Sequence, residues 1–92
     1  MERNIFEKIR DGEEEANIVY KDEYVTAFHD IKPDAPVHIL IIPNRKITSM
    51  NEISDEDNVY LALILLTAKK IAQDFNIAES GYRLITNCGK DG

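Results

Sequence analysis

The chain has 92 residues, enough for one small domain, and 43% of them are hydrophobic, so a core can be built. With 17 acidic against 11 basic residues the formal net charge is −6. That balance argues against a nucleic-acid backbone as the main partner, because no excess of Lys and Arg displaces counterions, although a few local donors suffice for a single nucleotide. The one cysteine, Cys88, cannot form an internal disulfide and suits a reducing, cytoplasmic setting.

Met1-Glu2-Arg3-Asn4 leads into a helical pattern and not into an apolar signal core. Residues 3–10 read as a short helix with Ile5, Phe6 and Ile9 on one side, ended by Asp11-Gly12. The run Glu13-Glu14-Glu15 is a solvated acidic stretch. Ile18-Val19-Tyr20 reads as a short strand. Lys21-Asp22-Glu23 turns the chain into a second strand, Tyr24–His29, giving a hairpin. Val25, Ala27 and His29 share one face of that strand, and Tyr24, Thr26 and Phe28 the other.

Residues 30–36 form a loop that Pro33 and Pro36 stiffen. Val37–Ile42, apolar except at His38, has the pattern of a central strand buried on both faces. After a turn at residues 43–46, Ser54-Asp55-Glu56-Asp57 opens a helix predicted to reach about Asp74. Tyr60, Ile64, Ala68, Ile71 and Phe75 make its core stripe. Leu61, Leu63, Leu65 and Leu66 overflow the stripe, so either a thick core or a second copy of the chain covers them. The apolar stretch Val59–Leu66 is far short of a membrane span. Gly81 precedes a last strand, Tyr82–Asn87, and a turn over residues 88–92 resembles the start of a hairpin whose second arm is absent. The order of elements gives an α+β class with an antiparallel sheet, one short N-terminal helix and one long helix.

The residues offer little chemistry on their own. His38 inside a strand reads first as a satisfied core residue. Asp30 is either a turn-former or a carboxylate for sugar hydroxyls, and Asn87 is either a phosphate donor or the start of a turn. Cys88 lacks an activating neighbour apart from Lys90. Phosphate loops of the Walker type, paired cysteines and HExxH are absent from the sequence.

Three stretches change this reading: Asn4–Ile9 (NIFEKI), Ala27–Pro43 (AFHDIKPDAPVHILIIP) and Gly81–Asn87 (GYRLITN). They resemble, in register, the histidine triad (HIT) family, and within it the Hint-type nucleoside phosphoramidases. The resemblance implies a single HIT-like domain over residues 1–92, truncated at its C-terminal end, and a homodimer. It implies that Ile5, Phe6, Ile9, Phe28 and Ile31 line an apolar pocket around a purine nucleotide. Asp30 would hold the ribose hydroxyls, His29 the pocket rim, and Asn87 a place near the phosphate. His38 would be a buried support for the triad. The family's next segment, a strand of the form His-x-His-x-His whose middle histidine is the nucleophile, is not in these residues, so no catalytic residue is expected among them. Asn4 and Glu7 stand where zinc-bearing relatives have cysteines, so neither a structural metal nor a cofactor is expected. Glu14-Glu15 replace a usual Ile-Pro pair at the pocket edge. Two functions compete: a hydrolase of nucleoside phosphoramidates, in the intact protein, and a non-catalytic nucleotide-binding or dimerising module.

Overall fold

The computed structural model describes residues 8, 9, 11, 12, 17–47 and 49–92. Ile5 and Phe6, the start of the expected N-terminal helix, the acidic residues 13–15, and Asn4 and Glu7 lie outside the described residues. Lys8 and Ile9 are helical and Ile9 is buried. Gly12 N–H donates to the Ile9 carbonyl at 3.1 Å, and Gly12 has φ 80°, a left-handed conformation that glycine adopts freely. This is the turn that Asp11-Gly12 predicts.

The chain divides into two compact units, Met1–Lys46 and Ile47–Gly92. The first carries an antiparallel sheet of β1 (Ile18–Lys21), β2 (Val25–His29) and β3 (Ile39–Pro43) in the order β1-β2-β3. Its register runs from Val25 opposite Pro43 to His29 opposite Ile39. β1 meets β2 through a bulge: Ile18 faces Phe28 and Tyr20 faces Ala27, which leaves Val19 as the extra residue.

Two expectations change here. The strand buried on both faces is β2, whose residues Val25 to Phe28 are all buried, and not the apolar run at 37–42. β2 has a ladder on each side, whereas β3 is half-buried along its length and pairs on one side only among the described residues. β3 also begins at Ile39, because Val37 and His38 belong to the loop.

The second unit holds α1 (Asn58–Asp74), 17 residues and about 25 Å long, preceded by a 3-10 turn at Asp55–Asp57. The buried Asp57 carboxylate accepts from Ser54 N–H at 3.1 Å and Ser54 Oγ at 3.4 Å, so the sequence signal for a helix start is realised. Thr67, Ala68, Ile71 and Ala72 are the buried face. Past its last residue, Asp74, the helix is closed by Asn76, which takes φ 59° while Ile77 N–H reaches back to the Ala72 carbonyl at 3.0 Å.

Residues 82–87 are exposed and belong to no strand, contrary to the alternation in their sequence. Alternation decides which way side chains point, but a strand exists only where a neighbour completes its ladder, and the described residues supply none there. Residues 89–92 do form the expected turn, closed by Gly92 N–H on the Gly89 carbonyl at 3.2 Å.

Candidate functional site

A polar region of the sheet lies where β2 ends and the 30–38 loop begins. Asp30 N–H donates to the His38 carbonyl at 3.0 Å, extending the β2–β3 ladder by one step and closing the loop at its base. Asp30 Oδ1 accepts from Lys32 N–H at 2.8 Å, which turns the chain immediately after the strand. At the far side His38 Nδ1 accepts from Asp34 N–H at 3.0 Å, and His38 Nε2 lies 3.4 Å from Asp30 Oδ2. Pro33 and Pro36 donate no N–H, so the loop is held by these few contacts and by proline stiffness.

This geometry corrects one expectation. His38 is not a buried core histidine: its side chain is 29% exposed, because the residue precedes β3 and sits in the loop. Asp30 is half-buried, with 22% of its side chain accessible. The turn-forming role and a sugar-binding role are therefore compatible in the same carboxylate. An ionised carboxylate offers about four acceptor positions, and the Lys32 N–H occupies one.

The remaining proposed pocket residues are spread more widely. Phe28 is 2% exposed, so its ring is part of the core and could only back a base-binding wall. Ile31 is 86% exposed beside Asp30 and offers an open apolar face. Ile9 is buried, His29 is half-buried, and Asn87 is exposed in the second unit.

A second polar cluster, with little trace in the sequence, lies at the opposite end of β2. Asp22 Oδ1 accepts from the N–H groups of Tyr24 and Val25 at 2.8 and 2.9 Å, and Tyr20 Oη donates to Asp22 Oδ2 at 2.7 Å. The Tyr20 hydroxyl, followed by the Val25 and Tyr24 amides, holds this carboxyl below its ordinary value against the opposing effect of desolvation. Asn44 Nδ2 donates to the Asp22 carbonyl at 2.7 Å, and Asn44 N–H to the Tyr24 carbonyl at 2.7 Å. Asp22 in a turn was a legible signal for the hairpin; Asn44, 22 residues away, carried none. No group of three or more His, Cys, Asp or Glu among the described residues could hold a metal ion, and no helix among them is long and apolar enough to cross a membrane.

The sequence pattern of the HIT domain matches residues 11–92. The chain belongs to the HIT family. Its relatives include a purine nucleoside phosphoramidase of Escherichia coli K12, 50% identical over 91 residues that span 99% of this chain and 76% of the relative. An uncharacterized HIT-like protein of Buchnera aphidicola (subsp. Baizongia pistaciae) is 48% identical over 90 residues, covering 98% of this chain and 80% of that protein. Among solved HIT structures, a family hydrolase from Legionella pneumophila superposes with a TM-score of 0.94 at 44% identity, over 97% of this chain and 80% of that one. A HIT family hydrolase from Clostridium thermocellum gives 0.92 at 48% identity, over 97% and 77%. The α+β class and the HIT fold expected from the sequence are thereby established, and the three-stranded sheet and long helix are that fold's elements here.

Proposed function

We propose that these residues hold the purine nucleotide in a phosphoramidase of the histidine triad type, whose substrates are purine nucleoside phosphoramidates or related nucleotide conjugates. The main support is the 50% identity to the Escherichia coli purine nucleoside phosphoramidase, spread over 99% of this chain. In this reading Asp30 takes the ribose hydroxyls, Ile31 meets the base, Phe28 and Ile9 back the apolar wall with Ile5 and Phe6, His29 forms the rim and Asn87 lies near the phosphate. Residues 1–92 are read as one domain, since the HIT match runs through both compact units.

The chemical step belongs to a protein in which a His-x-His-x-His strand follows these residues. The middle histidine's nitrogen attacks the α-phosphorus, the phosphorus–nitrogen bond to the substrate amine breaks, and the amine leaves with a proton. Water then attacks the nucleotidyl-histidine, releasing the nucleoside monophosphate and restoring the imidazole. Donors around the phosphoryl group stabilise the charge that builds there. Extending the chain with such a strand is expected to give turnover of an adenosine phosphoramidate and a covalent nucleotidyl-histidine by mass spectrometry. Absence of both overturns the enzymatic reading.

The second reading is a nucleotide-binding or dimerising module without catalysis. It draws on the geometry of His38, whose Nδ1 accepts from Asp34 N–H and whose Nε2 faces Asp30, both in its own loop. Binding of AMP or GMP by calorimetry with no hydrolysis distinguishes it. Exposed Val59, Leu65 and Leu66 on α1 support a homodimer in either case, and the single thiol supports a reducing cytoplasm.

A further inference from the structure

We draw no further inference here: the strongest candidate, the apolar edge of β3 (Ile39–Pro43) on the side away from β2, has no partner strand among the described residues, and nothing in the structure shows what covers it.

Discussion

The Thr26 hydroxyl, fully buried in β2, donates to Asn44 Oδ1 at 2.7 Å, tying the middle of the sheet to the residue that follows β3. The same Asn44 donates through Nδ2 to the Asp22 carbonyl, so one side chain links the β1–β2 turn to the end of β3. Removing it strands two polar groups at once. Asn44→Ala is expected to destabilise the chain by about 2–4 kcal/mol, since each partner left unsatisfied costs about 1–3 kcal/mol and part of Asp22 remains hydrated. Thr26→Val, nearly isosteric, is expected to cost about 1 kcal/mol. Urea unfolding of the two variants and the double variant checks this, and the two effects are expected to be non-additive because they share a bond.

Asp22 links stability to pH. Its folded carboxyl is held below the ordinary value, chiefly by the Tyr20 hydroxyl and then by the Val25 and Tyr24 amides. A group depressed on folding contributes stability that is complete above its unfolded pKa and is lost as pH falls through the folded one. The expected outcome is a loss of stability on acidification below about pH 4 that is shallower in Asp22→Asn and in Tyr20→Phe. Denaturation midpoints at pH 7 and pH 3 test it; identical acid sensitivity in all three chains contradicts it.

The Asp57 carboxylate serves the start of α1 by accepting from both the main chain and the side chain of Ser54. Asp57→Ala is expected to cost about 1–2 kcal/mol, the range for a lost helix cap, with the larger value favoured by its burial. Glu56→Ala, one position earlier and exposed, is expected to change stability by less than about 0.5 kcal/mol. Helix content followed by circular dichroism during unfolding separates the two.

Leu65 and Leu66 are 58% and 59% exposed on α1. If a second copy covers them, Leu65→Glu with Leu66→Lys is expected to lower the sedimentation mass from dimer to monomer. A monomeric wild type at micromolar concentration contradicts the homodimer.

The outline of the fold was legible because local signals agreed with it. Asp22 marks the hairpin turn, Ser54 and Asp57 mark the helix start, and the apolar residues of β2 and β3 mark strands. Which strand lies in the middle was not legible, because the run at 37–42 is more continuously apolar than β2 although β2 has both neighbours. Tyr82–Asn87 carried a strand's alternation without a ladder, which depends on a partner and not on the residues themselves. At the candidate site, Asp30 is singled out by its place at a strand end beside His29 and by the resemblance to the HIT family, whereas its contacts with Lys32 N–H and His38 leave no sequence signal. The Thr26–Asn44 bond was also invisible, since two neutral polar residues 18 positions apart leave no periodic trace. The apolar neighbours of His38 point to the core, whereas it lies in the loop before β3, accepts from Asp34 N–H and is half-exposed.

Asp30 is proposed to recognise a pair of sugar hydroxyls, and calorimetry with AMP beside 2′,3′-dideoxy-AMP measures that directly. The expected result is saturable binding of AMP to the wild-type chain, at least about tenfold weaker binding of the dideoxy compound, and little difference between the two ligands in Asp30→Asn. Equal affinity of the wild type for AMP and the dideoxy compound would contradict it.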